Sequence, residues 1–71
     1  MEITIKQFNG DNITLGLGSM PGRKRKALYR MHGCRIDPIA YFSNEQDAEW
    51  VEGFMRKLAE LANGTITETQ A

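Results

Sequence analysis

A chain of 71 residues with 41% hydrophobic and 25% charged side chains has the composition of one small globular domain. Its nine Lys and Arg balance nine Asp and Glu, which excludes disorder driven by excess charge and binding of polyanions through net charge alone. One cysteine excludes a disulfide scaffold, and no apolar run reaches the ~20 residues of a membrane span. We therefore expect a cytoplasmic protein with a thin core.

Alternating apolar and polar residues predict a hairpin at the start of the chain. Apolar side chains occupy every second position from Met1 to Ile5 and again from Ile13 to Leu17. The segment Asn9–Asn12 between them has the Asn and Gly residues that tight turns favour. Gly16 in the second strand indicates a bulge or a close approach of other backbone.

Two further strands are predicted before the helix. Pro21–Gly22 suits a type II turn, and Ala27–Cys34 has the pattern of a third strand. We interpret residues 33–38 as a turn region because they contain Gly33 and Pro38, and Ile39–Phe42 as a short fourth strand.

The helix has both of its end signals in the sequence. Ser43 and Gln46 form a predicted capping box, and Asn63–Gly64 supplies the stop. One apolar stripe has helical spacing and comprises Ala48, Val51, Met55, Leu58 and Ala62. The prediction is an α+β domain over residues 1–64, a four-stranded antiparallel sheet packed on one face by a single C-terminal helix. Residues 65–71 are predicted to be a polar, disordered tail.

A second apolar row lies beside the core stripe of this helix. Its members are Trp50, Phe54 and Leu61. Either the row enlarges the core contact, with Trp50 partly buried, or it is the interface of a homodimer, since small domains often gain burial by association. The sequence leaves both alternatives open.

Six basic residues and no acidic residue lie between Asn12 and Ile36. Five of them form the predicted anion-binding group, which comprises Arg23, Lys24, Arg25, Lys26 and Arg30. They are expected to contact the phosphates of a nucleic acid or a nucleotide, with Tyr29 as a stacking surface for a base. The alternative is a solvated turn whose cations only keep the loop soluble.

The segment from Asp37 to Gly53 has the opposite character, with five acidic residues and no basic one. Four of these acids lie on the predicted helix and are Glu45, Asp47, Glu49 and Glu52. A helix with these charges and the Trp50–Phe54 pair predicts, as the alternative function, a protein inhibitor that docks on a basic surface of a host protein. A third alternative is a structural or regulatory module with an inert basic loop.

Motifs for catalysis and metal binding are incomplete. Gly18 and Gly22 enclose three residues where a phosphate-binding loop needs four. His32 and Cys34 have no second histidine or cysteine with which to form a zinc site. We therefore predict a protein that is not an enzyme and that has no cofactor and no metal.

The segment 37–48, DPIAYFSNEQDA, and the helix that follows it resemble small accessory proteins encoded by phages or prophages. The resemblance covers residues 27–62 and matches no named family, so no functional residue is transferred. It implies a compact, non-enzymatic protein in the host cytoplasm that binds a host macromolecule or a small ligand, a class that includes inhibitors of host defence.

Overall fold

The computed structural model describes residues 1–20, 22 and 24–68. Its elements are β1 (Glu2–Lys6), β2 (Asn12–Ser19), β3 (Lys26–His32), β4 (Arg35–Tyr41), α1 (Glu45–Leu61) and β5 (Thr65–Thr67). The strands form one antiparallel sheet in the order β4-β3-β2-β1-β5. The predicted α+β class is confirmed, but the sheet has five strands and not four.

The fifth strand begins where the sequence predicted a disordered tail. Thr65–Thr67 pairs with β1 and places Ile66 opposite Ile3. Gly64 permits this approach, since a Cβ at this position would lie 2.6 Å from the carbonyl oxygen of Thr4. The prediction for residues 65–67 was wrong because a three-residue segment with two threonines has no apolar alternation to indicate a strand. Residues 69–71 of the predicted tail lie outside the described residues.

The strand β4 is longer than predicted. Residues 33 and 34 alone form the turn after β3, with Gly33 at φ 60°, and pairing resumes with Arg35 opposite His32. Pro38 lies inside β4, which is tolerated because β4 is an edge strand with a neighbour on one side only. A shift in register follows, since Tyr29 pairs with Pro38 whereas Leu28 pairs with Ala40.

The two ends of α1 follow local chemistry. Asn44, and not the predicted Ser43, is the N-cap: its Oδ1 accepts a bond of 2.8 Å from the backbone N–H of Asp47. At the other end Asn63 takes a left-handed φ of 53°, and the N–H of Gly64 donates to the carbonyl of Ala59 over 2.7 Å. This is the Schellman arrangement that the Asn63–Gly64 signal predicted.

The helix packs on the face of the sheet that carries Ile3 and Leu17. Met55 and Ala59 of α1 lie in the same buried cluster as these two side chains. Ala62 was predicted to belong to the core, but it is exposed, because the helix ends at Leu61 and the chain turns away. The opposite face of the sheet carries Tyr29.

Candidate anion-binding site

The turn between β2 and β3 carries the densest group of cations among the described residues. Lys24, Arg25 and Lys26 are all exposed. They border a cavity of about 240 Å³ whose other walls come from Ser19 and from the segment 42–45 at the start of α1. Arg23 belongs to the predicted group but lies outside the described residues.

Strand pairing brings this turn next to the helix. Because β3 and β4 are antiparallel, the start of β3 lies beside the end of β4, with Ala27 opposite Tyr41. The backbone N–H of Phe42 extends the pairing by donating to the carbonyl of Lys26 over 2.9 Å. The helix begins three residues later at Glu45. Its N-terminus is therefore held at the basic turn by the register of the sheet.

Three cations and one carboxylate line the cavity. The cations lie on one side, and on the other side the first turn of α1 presents the positive end of the helix dipole. One acidic group opposes them: the Glu45 carboxylate lies 3.0 Å from the Lys26 ammonium. Both side chains are exposed, so water screens this ion pair and an incoming anion can replace the carboxylate.

A second recess of about 390 Å³ lies on the other side of the same turn. It is lined by Gly22, Lys24, Arg25 and Tyr41. Tyr41 is 40% exposed and is the aromatic residue that lines this recess together with the cations. Neither Tyr41 nor the capping residue Asn44 was predicted as a site residue. Both residues could have been inferred from antiparallel pairing of β3 with β4, because it places the end of β4 beside the basic turn.

Tyr29 does not belong to this site. It lies on the opposite face of the sheet and is 9% exposed. Its hydroxyl donates to the Glu2 carboxylate over 3.3 Å. Burial raises the pKa of Tyr29, and the charge and hydrogen bond of Glu2 raise it further. The predicted stacking of a base on Tyr29 is therefore wrong, because its ring packs against the sheet.

Arg30 is also separated from the cations of the turn. It shares the helix-facing side with Lys26 but lies four residues further along β3, a distance of about 13 Å. It stands opposite Asp37, and its Nε is buried with no hydrogen-bond partner among the described residues. The predicted five-residue group thus divides into a cation cluster at the turn and one distant arginine.

The second apolar row of α1 is exposed. Trp50 is 75%, Phe54 60% and Leu61 72% accessible, and the two aromatic rings stack with centroids 6.4 Å apart. The alternative in which the row enlarges the core is therefore wrong. Its role as an interface stays a prediction.

Within the part of the chain that the structure describes, no group of three His, Cys, Asp or Glu side chains is arranged to hold a metal ion. The single helix, α1, lacks the length and apolar character needed to span a bilayer. No known protein family, curated protein or solved structure matches this chain.

Proposed function

We propose that this protein is a non-enzymatic binding protein for single-stranded nucleic acid, which it contacts through the β2–β3 turn. One observation carries the proposal: Lys24, Arg25 and Lys26 line one side of a cavity at the N-terminus of α1. Side-chain cations and the N-terminus of a helix are the two groups that proteins most often use to hold phosphate oxygens.

The two recesses favour a polynucleotide over a free nucleotide. The cavity of about 240 Å³ accepts a phosphate group, and the base of a neighbouring nucleotide would lie in the recess beside Tyr41. Stacking on one aromatic ring together with backbone contacts to cations is the usual mode of single-strand binding. Binding of this kind has little sequence preference, because each base offers a π-face.

Fluorescence anisotropy with a labelled single-stranded oligonucleotide tests the proposal. Charge reversal in Lys24→Glu/Arg25→Glu should weaken binding at least ~10-fold. It should also reduce the slope of log K against log salt concentration by about 1.4, because each of the two lost phosphate contacts contributes about 0.7. The matched control Arg35→Glu/Lys57→Glu changes the net charge equally at two exposed positions away from the turn. Equal loss in the two variants would show that net charge, and not the turn, determines binding.

Mononucleotides serve as competitors in the same assay. Displacement of the oligonucleotide by one mononucleotide at a comparable concentration would favour a nucleotide-binding protein. Failure of wild type to bind either ligand would contradict the proposal.

The alternative function, inhibition of a host protein through the acidic helix, has one supporting observation. The Trp50–Phe54 pair is exposed beside the acidic first half of α1. A complex formed in this way should weaken in Glu49→Lys/Glu52→Lys, whereas oligonucleotide binding should not. An origin in a phage or prophage stays a prediction that rests on the resemblance of residues 27–62.

A further inference from the structure

An apolar groove of about 720 Å³ runs between the β1–β2 turn and the last turns of α1. Ile5 and Phe8 form one wall, and Leu58 and Leu61 form the other, with Lys6 at the rim. Phe8 is fully exposed, and Leu61 also belongs to the exposed row of the helix. Leu61 therefore joins the groove and the row into one surface, which the exposed Lys57 interrupts between Phe54 and Leu61.

The extent of this surface is that of half an interface. Phe8, Trp50, Phe54 and Leu61 together expose about 600 Å² of side chain, taking 150–250 Å² for a whole aromatic residue. Two such surfaces bury about 1,200 Å², the lower bound for a stable protein–protein interface. The core of the single chain is small, since Ile3 is the one large side chain that is fully buried among the described residues. A second copy would supply the missing burial.

We propose that two copies of this chain pair through antiparallel α1 helices, with Trp50 of each copy inserted into the groove of the other. Trp50 and Leu61 are about 16 Å apart along the helix axis at 1.5 Å per residue. A two-fold axis midway between them brings Trp50 opposite the partner's Leu61 at both ends of the interface. A single two-fold rotation therefore places Trp50 of each copy at the groove of the other, as a closed symmetric dimer requires.

The charges of α1 select the antiparallel orientation. The first half of the helix carries only acidic charges, at Glu45, Asp47, Glu49 and Glu52. The second half carries Arg56, which pairs with Glu52 and Glu68, and Lys57, which pairs with Glu60. The groove adds Lys6. Antiparallel pairing places the acidic half beside the basic half of the partner and opposes the two helix dipoles. Parallel pairing would place the acidic halves together.

Trp50 is the only tryptophan in the chain, so its fluorescence reports the proposed contact directly. The dimer mass measured by light scattering should fall on dilution, and the Trp50 emission should shift to the red at the same concentrations. Leu61→Ser should raise the dimer dissociation constant about 30-fold and expose Trp50, although the two residues are far apart in one chain. Ile39→Ser removes a side chain of similar exposure on β4 and should leave both readouts unchanged.

Cross-linking determines the orientation. In a Cys34→Ser background, Glu49→Cys chains mixed with Ala62→Cys chains should form a mixed disulfide, because these exposed positions flank Trp50 and Leu61 and leave both side chains in place. Chains with Glu49→Cys alone should form little disulfide.

Three results would overturn the proposal: a monomer at all concentrations, a dimer that Leu61→Ser does not weaken, or efficient cross-linking of Glu49→Cys to itself. The first result together with capture of a host protein through Trp50 would assign the surface to that partner. Oligonucleotide binding by Leu61→Ser chains tests the proposed function separately, because the groove does not include the β2–β3 turn.

Discussion

The ring of Tyr29 on β3 occupies the space above Gly16 on β2, where a Cβ would lie 2.2 Å from its Cε2 and Cζ atoms. The ring therefore crosses β2, and its hydroxyl reaches Glu2 on β1. One side chain thus connects three adjacent strands on the face that the helix leaves open. Glycine at position 16 is required by this side-chain contact and not by its backbone conformation.

Gly16→Ala is expected to destabilise the domain by about 1–3 kcal/mol, because the added methyl group displaces the ring. In a Tyr29→Ala background the same change should cost less than about 0.5 kcal/mol, since the ring is absent. Urea denaturation of the four proteins in this double-mutant cycle measures the coupling. Gly18→Ala is the control, because a Cβ there meets no atom within 4 Å. Equal costs of Gly16→Ala in both backgrounds would contradict the contact.

The raised pKa of Tyr29 makes stability depend on pH in the alkaline range. Below pH 10, the ordinary pKa of tyrosine, the Tyr29 hydroxyl is protonated in both the folded and the unfolded state, and its full contribution to the free energy of unfolding is present. Above 10 the unfolded state loses its proton first, so the free energy of unfolding falls as pH rises towards the folded pKa. Tyr29→Phe should remove this component, which is measured as the difference between the two proteins in denaturation from pH 8 to pH 11. If the free energy of unfolding depended on pH identically in the two proteins, the raised pKa of Tyr29 would be contradicted.

Glu45→Gln is expected to strengthen oligonucleotide binding about three- to fivefold. The change removes the carboxylate that borders the cavity and frees Lys26 from its ion pair. Stability should change little, because the pair is exposed. Glu49→Gln removes the same charge one turn further along α1, and its effect in the anisotropy assay should be smaller. Weaker binding by the Glu45 variant would contradict the placement of the anion in this cavity.

Asn63 holds a left-handed conformation that ends α1. Replacement by alanine should cost about 1 kcal/mol, because a Cβ without a compensating polar group is strained at this φ. Asn63→Gly should preserve or slightly raise stability, since glycine is the preferred residue at this position. Thermal denaturation of the two variants beside wild type measures the difference. Equal stability of the alanine and glycine variants would show that the conformation is not required.

Patterns within a few residues predicted much of the local structure. The alternation from Met1 to Ile5 and from Ile13 to Leu17 gave the first hairpin, and Asn63–Gly64 gave the end of the helix. The N-cap was misplaced by one residue, because Ser43 and Asn44 both have oxygen atoms that can cap a helix. Within β3, Leu28 packs on the core while Tyr29 points to the opposite face, as the alternation of side chains along a strand requires.

The residue pattern was therefore sufficient for the α+β class, the amphipathic helix, the basic turn and a second apolar row, whose exposure it left open. Which of these features lie in contact depends on the pairing of distant segments. Three features depend on which strands are neighbours: β5 pairs with β1, Pro38 lies at an edge of the sheet, and the Tyr29 ring is buried over Gly16. The pairing of β3 with β4 also brings the basic turn next to the start of α1, whereas the extended β3 places Arg30 at a distance from the turn. Periodicity is a property of residues a few positions apart, whereas a binding site depends on contacts between segments that are distant in the chain.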